Sequence, residues 1–212
     1  MNAFVLAGGQ STRMGRDKAL VQFHGRALIE HALGKLRALG FAPAIAGSRQ
    51  DLAEYAPVIA DNYPGSGPLA GIEAALAASR DDLSLFLPVD LPLLPVEFLR
   101  WLVARARITS ALATIPRLQG RPQPLCAVYH RALLPDARAA LAAGDGKVMR
   151  AVERGAAHAG LKIDAFDVEI IAASLDSSAG WPTAPPLHHW FRNLNTPADI
   201  EKATLEESRH IH

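Results

Sequence analysis

Between residues 3 and 106 the chain alternates short β-rich runs with longer stretches whose apolar residues recur at helical spacing. That alternation predicts an α/β fold with a largely parallel central sheet. Ala3 to Leu6 reads as the first strand. Residues 27–39 read as the first helix, with Leu28, Ile29, Ala32, Leu33, Leu36 and Leu39 in register and Gly40 as its terminator. Strands are expected at 43–46, 58–60 and 83–87, and helices at 69–78 and 96–106. A loop crowded with Asn, Pro, Gly and Ser fills 61–68. Val89-Asp90-Leu91-Pro92 directly follows the strand at 83–87, which puts Asp90 where ligands of open parallel sheets bind. Beyond residue 110 the pattern weakens. Strands are expected at 111–115 and 125–129, an alanine-rich helix at 131–143, a Ser/Gly/Pro-rich loop or insertion at 174–186, and a terminal helix from Pro197. The 212 residues fit a single domain.

The first strand runs into Leu6-Ala7-Gly8-Gly9-Gln10-Ser11-Thr12-Arg13-Met14-Gly15-Arg16-Asp17-Lys18. This is not a Walker A loop, because five residues separate Gly9 from Gly15, and Arg16 and Asp17 intervene before Lys18. The dinucleotide fingerprint G-x-G-x-x-G is absent as well. What remains is a strand, two glycines, and then Arg13 and Lys18. Glycines without Cβ let backbone N–H groups approach phosphate oxygens closely. Arg13 can fork onto phosphate oxygens and Lys18 can act as a point charge on another. The bland alternative is a solvated turn with incidental charges.

The same stretch resembles the L-A-G-G-x-S-x-R-M-G-x-D-K signature of the molybdenum cofactor guanylyltransferases, the molybdopterin-guanine dinucleotide biosynthesis protein A family. The resemblance continues along the chain. Gly67-Pro68-Leu69-Ala70-Gly71 is similar to the G-P-L-A-G segment that lies against the guanine base in that family. Asp61 stands where the family carries a nucleotide-contacting aspartate, and Ser48 where relatives often carry an asparagine. Asp90 matches the family's magnesium-holding aspartate, although Pro88 and Val89 replace its usual neighbours. Gln123-Pro124-Leu125-Cys126-Ala127-Val128-Tyr129 and Phe191-Arg192-Asn193-Leu194-Asn195-Thr196-Pro197 resemble Q-P-L-x-A-L-Y and F-x-N-x-N-T-P, the latter associated with the pterin side of the cleft. The segment 162–190 is longer than the family pattern.

The resemblance implies a Rossmann-like three-layer nucleotidyltransferase fold with a GTP-binding N-terminal half and a molybdopterin-binding C-terminal half. It implies transfer of GMP from GTP to molybdopterin, with Mg²⁺ as cofactor. Arg13, Lys18 and Asp90 would be catalytic, with Asp90 the metal ligand. Leu6, Ala7, Gly8, Gly9, Lys18, Ser48, Asp61, Pro68, Leu69, Ala70, Gly71, Asp90, Asn193 and Asn195 would contact the ligands. Molybdoenzyme apo-proteins or their chaperones are the expected receivers of product. Read without the resemblance, Asp90 is also a plausible cap of the following turn, and Asn193 and Asn195 are ordinary turn residues before Thr-Pro. A cytidylyltransferase, a sugar-phosphate nucleotidyltransferase and a non-catalytic cofactor carrier remain open as alternatives.

Composition narrows the partners. Twenty-two Lys plus Arg against 21 Asp plus Glu leave a net charge of +1, too even for nucleic-acid binding by general charge attraction. No run is long and apolar enough to span a bilayer. Met1 to Ala7 has no basic region before it, so a strand and a cytoplasmic location are expected rather than a signal peptide. The single cysteine, Cys126, excludes an intramolecular disulfide, and its apolar neighbours predict a buried small hydrophobe. The His188-His189 and His210-x-His212 pairs are expected at the surface rather than on a metal.

Overall fold

The computed structural model describes residues 1–8, 17–174, 181–182, 185–194, 199–201 and 203. Gly9, Arg13, Asn195, Pro197, His210 and His212 therefore lie outside the described residues.

The first strand, β1 (Asn2–Leu6), alternates its side chains between two cores. Ala3, Val5 and Ala7 join one, and Phe4 and Leu6 join the other. A strand buried on both faces needs apolar residues at every position, which is why Ala3 to Leu6 is unbroken. After a short hairpin, β2 (Gln22–Phe23) and β3 (Arg26–Ala27), the chain enters α1 (Leu28–Ala38). Glu30 accepts from the Ala27 amide at 2.8 Å and closes the helix start. The strands β4 (Ala44–Ala46) and β5 (Val58–Ile59) follow, then α2 (Pro68–Ala78), β6 (Leu83–Pro88) and α3 (Val96–Thr109).

The second half contains β7 (Ala113–Leu118), β8 (Arg121–Pro122), β9 (Ala127–His130), α4 (Leu134–Ala142), α5 (Val148–Ala159), β10 (Ile163–Asp167), α6 (Val168–Ser174) and α7 (Leu187–Trp190). One sheet of eight strands runs in the order β10-β7-β9-β6-β1-β4-β5, with β8 paired to β7. The pairs β6-β1, β1-β4, β4-β5 and β10-β7 are parallel, and only β9 and β8 run against their neighbours. The helices α1 and α3 cover one face while α2, α4 and α5 cover the other, giving three layers. The expected mostly parallel α/β sandwich is what the chain forms. None of the described residues belongs to a helix long and apolar enough to cross a membrane.

Several boundaries differ from the sequence pattern. The expected helix at 131–143 is divided: Arg131–Leu133 form one 3-10 turn, capped by His130 Nδ1 accepting from the Ala132 amide at 3.0 Å, and α4 then starts with Pro135 in its first turn. α5 and β10 had no counterpart among the expected elements. The buried stripe of α5 is Val148, Ala151, Val152 and Gly155 at helical spacing, opposed by the exposed Arg150, Glu153 and Arg154, so α5 is strongly amphipathic and its pattern is legible in the sequence. Of the expected terminal helix, 199–201 and 203 are helical, and Ala203 is buried. Of the Ser/Gly/Pro-rich loop expected at 174–186, residues 175–180 and 183–184 lie outside the described residues, and Trp181 within it is packed. Trp181 and Trp190 pack edge-on to each other at 5.4 Å and against Phe98 of α3, at 5.4 and 5.7 Å. Cys126 is buried in the core, and burial pushes its thiol well above the ordinary range.

Candidate active site

The connection after β1 returns through α1 to β4 on one side of β1, and the connection after β5 returns through α2 to β6 on the other. The carboxyl ends of β1 and β6 thus lie side by side where the winding reverses, the position at which open α/β sheets leave a crevice. Backbone bonds pin the ends together: the Val89 amide donates to the Leu6 carbonyl at 3.2 Å, and the Ala7 amide to the Ala46 carbonyl at 3.2 Å. Gly47 makes this approach possible. Its φ is +135°, and a Cβ there would stand 3.1 Å from the Gly8 backbone.

Two sequence-predicted residues 72 positions apart meet here. Lys18 Nζ pairs with Asp90 Oδ2, with side-chain exposures of 26% and 10%. Lys18 opens a 3-10 turn capped by Asp17, whose Oδ1 accepts from the Ala19 amide at 3.0 Å. The Asp90 carbonyl accepts from the Leu194 amide at 3.1 Å, which ties the Phe191-to-Leu194 segment to the same corner. Asn193 itself is exposed beside this junction. The aromatic packing of Trp181 and Trp190 carries that segment there.

Arg49 was not anticipated from the sequence. It is 4% exposed, and its Nε and Nη2 bond Asp51 at 2.9 and 2.6 Å. Nη2 also pairs with Asp17 Oδ2, and Nη1 reaches the Ala7 carbonyl at 3.5 Å. One guanidinium therefore grips both feet of the glycine-rich loop. The Asp51 hydrogen bond raises the Arg49 pKa further, and the same bond lowers that of Asp51. An Arg two residues from an Asp, after a strand, is too common a pattern to single out.

The cleft has an inner chamber of 120 Å³ lined by Leu6, Ala7, Gly8, Lys18, Ala19, Arg49, Asp61, Gly67, Pro68, Gly71, Pro88, Val89, Asp90 and Leu125. An outer, wider part of 410 Å³ is lined by Gly8, Ser48, Arg49, Asp61, Pro64, Gly65, Gly67 and Pro68. Asp61 belongs to both. Its Oδ1 is buried with no hydrogen-bond partner among the described residues, and burial raises its carboxyl pKa, with the Glu73 carboxylate pushing the same way. Ser48 serves Asp61 directly, its Oγ accepting from the Asp61 amide at 3.2 Å. Pro68 occupies the first turn of α2, and Gly71 lies beside Asp61 Oδ1, which a Cβ there would meet at an ordinary contact distance of 3.6 Å. The side chains of Leu69 and Ala70 do not line the cleft. Both are fully buried in the core beneath α2.

Residues 3–159, nearly three quarters of the chain, match the family described as MobA-like NTP transferase domain. The chain belongs to that family. Its members similar to this chain include the molybdenum cofactor guanylyltransferase of Rhizobium johnstonii, 33% identical over 204 residues that cover 94% of this chain and 89% of that protein. The molybdenum cofactor guanylyltransferase of Serratia proteamaculans is 32% identical over 205 residues, covering 94% and 91%. Among solved structures, molybdopterin-guanine dinucleotide biosynthesis protein A from Archaeoglobus fulgidus superposes with a TM-score of 0.75 at 27% identity, covering 100% of this chain and 99% of its own. His188 is exposed and His189 half-buried, and their rings meet edge-on at 4.2 Å. Among the described residues no group of three or more His, Cys, Asp or Glu could hold a metal.

Proposed function

We propose that this chain transfers GMP from GTP to the phosphate of molybdopterin, releasing pyrophosphate and forming the guanine dinucleotide cofactor. The observation that carries the reading is the Lys18–Asp90 pair at one end of a cleft whose other end holds the unpartnered Asp61 Oδ1. A triphosphate satisfies both ends. Its phosphates give Lys18 a new partner, and a base with adjacent N–H donors, such as guanine, satisfies Asp61.

Asp90 fits a magnesium ligand. It is a largely buried carboxylate opening on the inner chamber, and magnesium is commonly held by one or two carboxylates together with substrate phosphates. When bound, Mg²⁺ would neutralise charge on the triphosphate. Lys18, and by the resemblance Arg13, would stabilise the departing pyrophosphate. An oxygen of the molybdopterin phosphate attacks the α-phosphorus, the bond to the pyrophosphate bridging oxygen breaks, and pyrophosphate leaves with that electron pair. The attacking monoester is already largely ionised at neutral pH, its second pKa being about 6, so no general base is required. Catalysis then rests on alignment and charge stabilisation.

The outer cleft, with Ser48, Asp61 and Pro68 to Gly71, would take the nucleoside. The corner formed by Asp90, Leu125 and Asn193 would receive the pterin, and by the resemblance Asn195 would contact it too. We assign the reaction to the cytoplasm, with molybdoenzyme apo-proteins or their chaperones receiving the product.

The test supplies the purified chain with Mg²⁺, molybdenum-loaded molybdopterin and GTP, CTP, ATP or UTP singly, and follows pyrophosphate and dinucleotide formation. Turnover is expected with GTP, abolished by chelation with EDTA, and reduced roughly 100-fold or more by Lys18→Ala or Asp90→Asn. Turnover with CTP alone would move the assignment to cytidylyl transfer. None with any triphosphate would refute it.

A further inference from the structure

The wall of the outer cleft is the loop between β5 and α2, which contributes Asp61, Pro64, Gly65 and Gly67 to the lining. That loop is held from behind by the C-terminal half of the chain through two separate contacts. Glu73, on α2 and 0% exposed, has both carboxylate oxygens engaged. Oε2 accepts from Asn62 Nδ2 at 2.9 Å, in the wall itself, and Oε1 accepts from Arg138 Nε of α4 at 2.8 Å. The second contact is steric. Gly146, in the turn between α4 and α5, sits so close to Ser66 that a Cβ would lie 2.4 Å from the Ser66 carbonyl oxygen.

These contacts converge on one short loop from two directions, and neither touches the Lys18–Asp90 corner. A buried carboxylate must keep its partners or be left uncompensated, so Glu73 makes Asn62 and Arg138 interdependent. The Gly146 contact sets how far the wall can lean outward, because backbone packed this tightly does not yield continuously. We propose that α4 and the turn at 144–147 form a brace that sets the position of the Asp61-to-Gly67 wall, making Glu73, Arg138 and Gly146 positioning residues for nucleobase selectivity. This rests on the reading of the cleft as a GTP site. The brace also explains why Glu73 is an acid: its carboxylate both anchors Asn62 and acts electrostatically on Asp61.

The magnitude follows from the geometry. Ordinary contact begins at 3.4 Å, so a Cβ at position 146 requires the Ser66 carbonyl and the 144–147 turn to part by about 1 Å. A displacement of that size at a hydrogen-bonding carboxylate lowers affinity for a base that uses the full donor edge by roughly tenfold. A base lacking part of that edge loses less. The experiment is calorimetric titration of the full chain, and of Gly146→Ala and Arg138→Met, with GTP and with ITP, which lacks the 2-amino group, both as magnesium complexes.

The unaltered chain is expected to prefer GTP, and both variants to lose most of that preference while kcat with GTP stays within about twofold. A merely destabilised protein would lose active fraction equally for both nucleotides and keep the ratio. An unchanged GTP-to-ITP ratio in both folded variants would overturn the brace while leaving the GTP site standing. Failure of the unaltered chain to bind GTP would overturn the GTP site and the brace together. Arg138→Met, at a half-exposed side chain, serves where Gly146→Ala does not fold.

Discussion

Replacing Arg49 with methionine removes the guanidinium but keeps an unbranched apolar stem in the same buried space. Asp17 and Asp51 each accept a hydrogen bond from the same Nη2, so the substitution leaves two carboxylates close together with no cation between them. Breaking a fully buried pair costs about 3–5 kcal/mol. Here the Asp17 and Asp51 side chains are 31% and 54% exposed, so water screens part of the repulsion and about 2–3 kcal/mol is the expected loss. For a domain of this size that corresponds to a fall in Tm of roughly 5–10 °C. The loss has a pH signature. Arg49 lowers the Asp51 pKa, so the pair contributes stability above the unfolded aspartate value of about 3.9 and loses it as pH falls through the depressed folded value. In Arg49→Met that contribution is gone, and the gap from the unaltered chain should be widest near pH 7 and narrow below about pH 4. Thermal denaturation across pH measures this. Arg49→Lys, which keeps the charge but not the fork, should lose about half as much. A Tm for Arg49→Met within about 2 °C of the unaltered chain, or a gap independent of pH, would refute the clamp.

Two further outcomes test other parts of the site. Gly47→Ala places a side chain at φ +135° and 3.1 Å from Gly8, and should cost about 1–3 kcal/mol in urea unfolding while raising KM for GTP, since the displaced atoms begin the phosphate loop. An unchanged KM would separate Gly47 from the nucleotide site. Trp190→Ala removes a side chain that is 2% exposed and donates from Nε1 to the Pro185 carbonyl at 2.8 Å, with an expected loss of about 3–5 kcal/mol. It should also weaken activity through Leu194 and Asp90. Full activity in a folded Trp190→Ala protein would mean that the aromatic packing does not hold that corner.

The elements that the sequence specifies by itself are those whose signals are local. Burial on both faces writes β1 as an unbroken apolar run, helical spacing writes α1, and the Asn/Pro/Gly/Ser-rich loop at 61–68 marks the start of α2 to within one residue. Lys18 and Asp90 stand out because each sits in a motif at a strand's carboxyl end, and the parallel winding then brings them together. The amphipathic stripe of α5 is equally local, whereas the aromatic docking of Trp181 against Trp190 carries no comparable local mark. Arg49, Glu73, Arg138 and Gly146 were decided by tertiary structure alone. Arg49 meets Asp17 across 32 positions and Arg138 meets Glu73 across 65. Whether a charged residue is a solvated surface group or a buried clamp depends on which partner the fold delivers to it. A glycine whose φ needs no special freedom, like Gly146, reveals its purpose only when the backbone it must not touch is in place.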